Sequence, residues 1–373
     1  MKYSAYAGSW TFRPEPKGVS RYLFDDETGK LELQETILEE IAAGAQYLDE
    51  EKGILYITDE GGRTIDGAET GGVFAVRLNE DGSFGDVLSY TETTNPKTSY
   101  LWPVRGGKYL AASNHSSSKA VRHAYIRNGK PVTEIYYDQS SLNLFSLNED
   151  GSVSGLADAL IFDSEVISGK RIFPHFHNVM ADPSGEMFLA CDKGMDRIVT
   201  FRITGGKLEF LQETKTEENT APRYTVFHPQ TNVVFENNEN WPGICSYAYD
   251  RKTGELKLIQ KLAVGDESYR RPNASDLALN ASGTRLYAGL RYSNEIVVLK
   301  TDGSGYMEEM QRISCQGENP RGLYLSDHFL FCMNNVSGNI VCFPVNEDGT
   351  LNEEKAVSSE AHLPGNMSIW RKR

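Results

Sequence analysis

The sequence has no long apolar run. No uninterrupted hydrophobic stretch is long enough to cross a bilayer, and the opening residues, MKYSAYAGSWTF, lack the basic head and apolar core of a signal peptide. Cysteine is scarce: the five residues are odd in number, scattered and without a CxxC pair. Four of them lie in strand-like runs, which is typical of buried reduced thiols. We therefore expect a cytoplasmic protein that does not use a membrane.

Positive charge is also in deficit. The 373 residues include 38 Lys and Arg against 52 Asp and Glu, a net charge of −14. Nucleic-acid binding needs a basic surface, so we expect no nucleic-acid partner. A small anionic ligand is not excluded, because a few arginines in one pocket can override the overall sign locally. The GxxxxGKS, Rossmann GxGxxG and GxSxG patterns are missing as well.

The sequence has few segments with helical periodicity and contains a repeated hairpin pattern instead. Each copy is an alternating apolar strand, a two-residue turn that carries glycine and a short strand, as in LNEDGSFGD and VNEDGTLNE. Asp-Gly and Gly-Gly turns between such runs are the strongest short-range hairpin signal, because a tight primed turn needs positive φ. The second turn residue is a glycine in seven copies: Gly29, Gly82, Gly151, Gly206, Gly254, Gly303 and Gly349.

A second repeated unit, a strand that ends in a buried aliphatic run, lies upstream of each hairpin. Its copies are SAYAGSW, ILYITDE, KYLAASN, MFLACDK, VVFENNE, RLYAGLR and FLFCMNN. Seven paired units of roughly 50 residues, each with about four short strands, are typical of β-propeller blades. The one segment with helical periodicity, ETILEEIAAGA, is interpreted as a blade edge and a loop. The sequence predicts an all-β seven-bladed propeller as a single domain over residues 1–373.

The chain ends and one long spacing complete the predicted ring. PGNMSIW near the C-terminus is a lone strand and the N-terminus begins in mid-blade, so their pairing would close the ring and remove open sheet edges. Between Gly82 and Gly151 lies a segment rich in Ser and basic residues. We expect an inserted loop there, around residues 115–141, outside the strand ladder. It is either a mobile surface loop or a cover over one mouth of the channel.

Candidate functional residues are sought where the innermost strands of the blades converge on a central channel. Four stretches stand out: FPHFHNVMADPSGEMFLACDKGMDRI, NTAPRYTVFHPQTNVVFENNE, RPNASDLALNASGTRLYAGLR and ENPRGLYLSDHFLFCMNN. In the first stretch His175 and His177 alternate with apolar residues, so both should lie on one face of a strand. The spacing leaves open whether they bind a metal, move protons or stabilise the fold.

These stretches resemble a known family. The pattern PHxH…DPxG…DxGxDRI, followed by PR…FHP…NE and then by LYAxxR and NPRG, is similar to the lactonase family of seven-bladed propellers. That family includes propeller-type 6-phosphogluconolactonases and fungal carboxy-muconate lactonising enzymes. The resemblance implies four active-site positions: His175, Arg223, Glu239 and Arg291. The sequence departs from the pattern where Tyr224 replaces a histidine, where Gly-Leu-Arg replaces Ser-Asn-Arg, and in the long insertion.

Lactone chemistry gives each of these four residues a catalytic role. Opening or closing a lactone moves negative charge onto an oxygen, and the guanidinium groups of Arg223 and Arg291 can hold and stabilise that charge. An imidazole can deprotonate water or shuttle a proton, so His175 is the candidate base. Glu239 is its partner or an alternative base, and spacing does not decide between the two.

A second set of residues is expected to contact substrate: His177, Asp192, Tyr224 and Arg321. Each of three has a structural alternative, as a hydrogen-bonded structural histidine (His177), a loop cap (Asp192) or a salt bridge between blades (Arg321). For Arg197, beside Asp196, the salt bridge is the preferred interpretation. A His-x-His pair could bind zinc, but such sites usually need a third protein ligand. We expect neither a metal nor another cofactor.

Three functions are compatible with the sequence. The leading hypothesis is a cytoplasmic lactonase that hydrolyses a sugar or phosphosugar lactone, such as 6-phosphogluconolactone, to the open-chain acid. The substrate of this enzyme would be a small anionic lactone, carboxylate or phosphate. The alternatives are an isomerase of the muconate-lactonising kind and a non-catalytic propeller that binds a ligand or protein, because the fold alone licenses no function.

Overall fold

The computed structural model describes residues 1–11, 15–265 and 274–371, and within them it contains β-strands and no helix. The first three residues of RPNASDLALNASGTRLYAGLR lie outside the described residues. Seven four-stranded sheets are present among the described residues, and we number them as blades 1 to 7 in chain order. The prediction of an all-β seven-bladed propeller is confirmed.

The first half of the chain forms blades 1 to 3. Blade 1 begins with β1 (Lys2–Ser9), β2 (Val19–Asp25) and β3 (Leu31–Ile37). Blade 2 contains β4 (Ala43–Asp49), β5 (Ile54–Ile65), β6 (Ala68–Leu78) and β7 (Phe84–Glu92). Blade 3 begins with β8 (Thr98–Pro103) and β9 (Tyr109–Asn114), which precede an inserted hairpin of β10 (Ala120–Arg127) and β11 (Lys130–Tyr137). It is completed by β12 (Ser140–Leu147) and β13 (Val153–Phe162), and a short hairpin of β14 (Glu165–Ile167) and β15 (Lys170–Ile172) follows.

The second half of the chain forms four uninterrupted blades and then returns to blade 1. Blade 4 contains β16 (Phe176–Ala181), β17 (Met187–Asp192), β18 (Arg197–Thr204) and β19 (Lys207–Lys215). Blade 5 contains β20 (Pro222–Phe227), β21 (Val233–Asn238), β22 (Gly243–Tyr249) and β23 (Leu256–Ala263). Blade 6 contains β24 (Ala274–Leu279), β25 (Arg285–Leu290), β26 (Glu295–Thr301) and β27 (Met307–Ser314). Blade 7 contains β28 (Pro320–Leu325), β29 (Phe329–Asn334), β30 (Asn339–Pro344) and β31 (Val357–Glu360), and β32 (Pro364–Trp370) follows it.

The ring closes through its two terminal strands. Blade 1 has the order β3-β2-β1-β32, so the last strand of the chain is the innermost strand of the first blade. β1 and β32 are antiparallel, with Ala5 opposite Ile369 and Ala7 opposite Met367. The predicted pairing of the N- and C-terminal strands is confirmed. Closure gives blade 1 its fourth strand, so β1 is paired on both sides and does not present an open edge that could aggregate.

Apolar cores lie between neighbouring blades. Each hydrophobic cluster combines the facing sides of two adjacent sheets, as expected for strands that alternate side chains between two buried faces. One such core joins blade 1 to blade 7, where Phe24 and Phe331 pack edge to face at 5.0 Å. The five cysteines are free and buried in these layers, and four of them lie in strands, as the sequence indicated.

Each glycine turn connects the two outer strands of one blade, and most of these turns are longer than predicted. The fourth copy is a two-residue turn with positive φ at both Gly205 and Gly206. In the second copy Asn79 N–H bonds to Ser83 O at 2.9 Å across three loop residues, with Gly82 at φ 80°. This is a type I turn followed by a left-handed residue, the commonest three-residue hairpin loop. In the sixth copy the glycine with positive φ is Gly305 rather than Gly303, so that assignment was wrong.

Hydrogen bonds show what these turns do in the ring. Tyr6 in blade 1 donates its hydroxyl to Gly82 O in blade 2 at 2.7 Å, and Tyr56 in blade 2 donates to Gly151 O in blade 3 at 2.8 Å. Each turn is therefore anchored to the blade before it. The turn that closes the hairpin therefore also contacts the preceding blade, through the carbonyl oxygen of its glycine.

The insertion around residues 115–141 is a hairpin and not a loop. Its strands β10 and β11 pair only with each other in a separate two-stranded sheet, which confirms that the insertion lies outside the blade ladder. The side chains of Val121 and Ile126 are exposed, at 62% and 66%. The residues at its base, 116–118, line the channel cavity described below. ETILEEIAAGA is the end of β3, a turn and the start of β4, as interpreted from the sequence.

Candidate active site

Every blade places two equivalent positions at the channel. In each blade the first residue of the innermost strand pairs with a residue of the next strand, for example Pro222 with Asn238 in blade 5 and Phe176 with Asp192 in blade 4. The residue that follows this partner in the chain is the first equivalent position. The second is the second residue of the innermost strand. Functional side chains from distant parts of the sequence thereby reach one level of the ring.

The first equivalent position supplies most of the charged groups. Its occupants, from blade 1 to blade 7, are Trp10, Glu60, His115, Lys193, Glu239, Arg291 and Asn335. Six of these seven residues line one cavity of about 320 Å³. The seventh, Asn335, donates a hydrogen bond to the carbonyl oxygen of Trp10 at 3.0 Å.

The second equivalent position is large in three blades and small in four. The large residues are His177, Arg223 and Arg321, and all three line the cavity. The others are Gly44, Ser99, Ser275 and Gly365. A Cβ at Gly44 would lie 2.3 Å from Oε2 of Glu60. The small residues thus leave room for the long side chains that come from the first position.

The cavity is positively charged although the protein is acidic. Its lining contains five cationic side chains, Lys97, Lys193, Arg223, Arg291 and Arg321, against the two carboxylates Glu60 and Glu239. With neutral histidines this is an excess of three positive charges. A few buried cations therefore reverse the sign of a chain whose net charge is −14.

Glu239 lies among three of these cations. Its Oε2 is 3.1 Å from Nε of Arg223, 3.3 Å from Nζ of Lys193 and 3.6 Å from Nη2 of Arg291. Burial by itself would raise the pKa of Glu239, but Lys193, Arg291 and Arg223 together hold it well below the usual range. A carboxylate in this environment holds its charge and is a weak proton acceptor.

Arg321 forms the opposite wall of the cavity. Its guanidinium carbon lies 3.2 Å from the centre of the Trp10 indole ring, and its Nη2 lies 3.6 Å from Oε2 of Glu60. Arg321 belongs to blade 7 and Glu60 to blade 2, so this ion pair links two blades that blade 1 separates. Both sequence-based alternatives for Arg321, a cavity residue and a salt bridge between blades, describe part of what it does.

Three histidines form a cluster on the remaining side. The ring of His115 lies 5.7 Å from that of His175 and 5.5 Å from that of His177. Burial, followed by Lys193 and Lys97, lowers the pKa of His175 to about 4. Burial also lowers the pKa of His115 and His177 well below the ordinary value. All three imidazoles are therefore neutral at pH 7, although each is a weaker base than a free imidazole.

The two histidines of the PHFH motif both reach the cavity. His175 precedes β16, and its Nε2 lies 3.1 Å from the hydroxyl oxygen of Ser118. His177 is 4% exposed, and its Nδ1 has no hydrogen-bond partner in the described part of the chain. Its ring packs 5.0 Å from Tyr224. His177 therefore differs from the hydrogen-bonded structural histidine that was one interpretation of the sequence.

Asp192 does not line the cavity. Its side chain is fully buried, with Oδ1 accepting the backbone N–H of His175 at 2.7 Å and Oδ2 accepting Nε of Arg197 at 2.9 Å. The expectation that Asp192 contacts substrate is replaced by a positioning role, because both carboxylate oxygens hold protein groups. Arg197 is in salt bridges, but its partners Asp192 and Glu213 lie in its own blade 4, so these contacts are not the expected salt bridge between blades.

Tyr224 lies behind the cavity wall. Its ring packs against Tyr100 at 5.4 Å and His177 at 5.0 Å, and the guanidinium carbon of Arg223 lies 4.9 Å from its centre. Burial raises the pKa of the Tyr224 hydroxyl well above its usual value. The structure therefore places it where it supports His177 and Arg223, and not among the residues that line the cavity.

Sequence reasoning missed Glu60, His115, Lys193, Trp10 and Ser118. The signal for the first four was present in the repeated second strand. Aligning SAYAGSW, ILYITDE, MFLACDK, VVFENNE and RLYAGLR on their last residue places Trp10, Glu60 and Lys193 in one column with Glu239 and Arg291. His115, the residue after KYLAASN, belongs to the same column. Ser118 had no such signal, because it belongs to the insertion.

No metal site is apparent in the part of the chain that the structure covers. Across residues 1–11, 15–265 and 274–371, no three His, Cys, Asp or Glu side chains converge as metal ligands do. That the reaction needs no metal or cofactor stays a prediction. In the same residues, no helix has the length and apolar character needed to cross a membrane.

The fold and this cation-lined channel define a seven-bladed propeller enzyme. The chain belongs to the lactonase family of seven-bladed β-propellers, whose model matches residues 4–365, and the expected enzyme class, a lactonase, is confirmed. The chain is 23% identical over 350 residues to a 6-phosphogluconolactonase of Bacillus subtilis, covering 92% of this chain and 91% of that one. It is 22% identical over 352 residues to a 6-phosphogluconolactonase of Formosa agariphila, covering 91% of each chain.

A solved structure shares the whole architecture. The periplasmic gluconolactonase of Pseudomonas aeruginosa superimposes with a TM-score of 0.83 at 19% sequence identity, covering 100% of both chains. At this identity the similarity shows the fold alone. The family supports a lactonase rather than a non-catalytic binding platform.

Proposed function

We propose that this lactonase hydrolyses a phosphorylated sugar lactone of the 6-phosphogluconolactone type to the open-chain acid. The observation that supports it is the excess of positive charge in the cavity. Five cations face two carboxylates within about 320 Å³, in a protein of net charge −14. Burying cations is costly unless they are paired, and a phosphate dianion is the ligand that offsets such an excess.

The roles of the side chains follow from their contacts. Lys193, Arg223 and Arg291 are held around Glu239, so their remaining N–H groups are fixed before substrate arrives. Fixed donors stabilise the negative charge that develops on the carbonyl oxygen when a lactone opens. His175, neutral at pH 7, takes the proton of the attacking oxygen. Glu239 keeps the cations in position, and its pKa is held lower than that of His175, so it is the weaker base of the two.

The proposal is tested by comparing 6-phosphoglucono-1,5-lactone with unphosphorylated glucono-1,5-lactone. Each rate is corrected for spontaneous hydrolysis. We expect kcat/KM to favour the phosphorylated lactone by at least about 100-fold, since a charge-assisted phosphate contact contributes about 1.5–3 kcal/mol and more than one cation is available. Inorganic phosphate should compete with it. Equal kcat/KM values for the two lactones would contradict the phosphate assignment, and no acceleration of either would contradict the function.

Two variants locate the group that binds the phosphate. Arg223→Ala should abolish the enzymatic rate. Arg321→Met should raise KM for the phosphorylated lactone more than for the unphosphorylated one. The Arg321 guanidinium lies flat on the Trp10 ring and lines the cavity, so its N–H groups can bind a phosphate there. The matched control is Arg202→Met, whose guanidinium bonds to Lys252 O at 3.3 Å far from the cavity residues. If Arg321→Met changes the KM values of the two lactones equally, Arg321 does not select for phosphate.

A muconate-lactonising isomerase is the alternative reaction. The same cations would bind a dicarboxylate, and a proton from the histidine cluster would be delivered to a double bond. An ultraviolet assay for loss of the conjugated diene distinguishes the two reactions. We further propose that the protein acts in the cytoplasm without nucleic-acid or membrane partners, as its composition indicates, which fractionation of cells that express it would test.

A further inference from the structure

We infer that Ser118 is the nucleophile of this lactonase and that His175 takes its proton. The inference rests on the proposed function and adds a covalent intermediate to it. The hydroxyl oxygen of Ser118 lies 3.1 Å from Nε2 of His175, and both residues line the cavity. A hydroxyl within about 2.6–3.2 Å of a base is the arrangement by which enzymes activate serine.

The position of the His175 ring decides which nitrogen reacts. Nδ1 is buried and has no hydrogen-bond partner in the described part of the chain, so substrate and water do not reach it. Nε2 is the nitrogen that meets the cavity, and the Ser118 hydroxyl occupies it. If His175 acts as a base through Nε2, the proton in contact with that nitrogen is the one on Ser118.

The segment that carries Ser118 is held in one conformation. Its backbone N–H donates to the hydroxyl oxygen of Ser116 at 2.9 Å. The carboxylate of Asp138, on the other side of the base of the inserted hairpin, accepts the hydroxyl of Ser116 and the backbone N–H of Ser117. Ser118 has φ 57°, in the left-handed region that residues other than glycine seldom adopt. Strained backbone of this kind concentrates at functional sites, where neighbouring contacts hold it.

The base is held as firmly as the nucleophile. The backbone N–H of His175 donates to Asp192, and its carbonyl accepts the N–H of Lys193 at 3.1 Å. Burial, Lys193 and Lys97 oppose protonation of His175. Asp138, outside the cavity lining, and Glu239, within it, favour the protonated imidazole that forms as Ser118 loses its proton. Among the residues that the structure describes, no carboxylate bonds to Nδ1, so this is a Ser–His pair and not a triad.

The reaction then proceeds through an ester. Ser118 Oγ attacks the carbonyl carbon of the lactone, its proton passes to Nε2 of His175, and the carbonyl electrons move onto oxygen. Arg223 and Arg291 line the same cavity, so their guanidinium groups are placed to stabilise that oxyanion.

Collapse of this intermediate breaks the bond between the carbonyl carbon and the ring oxygen, which takes the proton from His175. The opened sugar acid stays on Ser118 as an ester. Water, deprotonated by the same nitrogen, hydrolyses the ester to the free acid and restores Ser118. The ring opening releases no fragment, so the ester adds the full mass of the lactone to the enzyme.

The experiment is mass spectrometry of the full-length enzyme, quenched in acid during turnover of glucono-1,5-lactone and of its 6-phosphate. We expect a mass gain equal to that of the intact lactone, on the peptide that contains Ser118. Ser118→Ala should lack this adduct and lose about 10²- to 10⁴-fold in kcat. The matched control is Ser304→Ala, which changes an exposed serine in the turn between β26 and β27. This variant should keep both the adduct and the wild-type kcat. Adventitious acylation of lysines would appear equally in all three proteins.

The outcomes separate the inference from the function on which it rests. An active wild-type enzyme whose Ser118→Ala variant keeps more than a third of kcat overturns the nucleophile and leaves the lactonase proposal standing. An active enzyme without an adduct on the Ser118 peptide, when hydroxylamine also traps no acyl group, does the same. A wild-type enzyme inert toward every lactone removes both.

Discussion

Oε2 of Glu239 lies 3.1 Å from Nε of Arg223, and the two residues are the centre of a cluster that also holds Lys193 and Arg291. The contact joins the first equivalent position of blade 5 to the second position of the same blade. It explains why an acidic residue is present in an anion-binding cavity. Three cations without a carboxylate would repel one another, so Glu239 keeps them together while leaving a net positive charge.

Glu239→Gln distinguishes a counterion from a base. We expect kcat to stay within about tenfold of wild type, because the proton acceptor is His175, while a base would cost 10²- to 10⁴-fold. The free energy of unfolding should fall by about 3–5 kcal/mol, since the variant leaves buried cations without their partner. Kinetics and denaturant unfolding measure the two effects. Glu309→Gln, which removes an exposed pair with Arg312, should change stability by less than about 1 kcal/mol.

Lys193→Met tests the environment of His175. The pKa of His175 is lowered to about 4 by burial and then by Lys193, so wild-type kcat/KM should be level from pH 8 to about pH 5 and fall as pH drops through 4. Removing the ammonium should move this acid limb toward the ordinary histidine value near 6.5. The profile is measured from pH 3.5 to 8, with thermal unfolding at each pH as the control. An unshifted limb would mean that another group sets it.

Gly194→Ala tests how closely the loop after β17 approaches the base. A Cβ at this position would lie 2.1 Å from the carbonyl oxygen of Phe173 and 2.8 Å from Cδ2 of His175. Since backbone cannot yield by that distance without moving His175, kcat should fall by about 10²-fold. Gly85→Ala, where the nearest atom would be 3.1 Å away, is the control and should stay active. A Gly194→Ala enzyme with more than half of wild-type kcat would show that the histidine is not held there.

Glu236→Gln tests a buried carboxyl group outside the cavity. Burial raises the pKa of Glu236 to about 8 in the folded protein. Between the unfolded value near 4.5 and about 8, the unfolded chain has lost the proton that the folded one keeps. Stability therefore falls with rising pH, by about 1.4 kcal/mol per unit, and levels off above pH 8.

Glutamine removes this dependence, because its amide does not titrate. The variant should be more stable than wild type at pH 8 and closer to it at pH 5, as measured by denaturant unfolding. Glu255→Gln, at an exposed position, should follow the wild-type curve. If wild type and Glu236→Gln show the same pH dependence, Glu236 is ionised in the folded protein.

The fold was largely predictable because it depends on local rules repeated seven times. Alternating strands bury both faces of a blade, and a glycine such as Gly82 supplies the positive φ that each turn needs. The turn lengths were harder, because Gly303 and Gly305 are equally permissive and the choice depends on the register of the strands. The single-domain prediction stays a prediction, which one cooperative unfolding transition would support.

The sequence by itself determined the number of blades, the closure of the ring and a set of candidates that includes His175, Arg223, Glu239 and Arg291. Only the tertiary structure decided which charges meet. Arg321 and Glu60 are far apart in the chain and pair although blade 1 separates their blades, and Asp192 faces Arg197 instead of the cavity. The physical reason is that strand periodicity assigns a residue to a face, whereas a distance between side chains depends on how the blades pack around the axis. The contact between Ser118 and His175 is the clearest case, because it is made by an insertion that obeys no repeat.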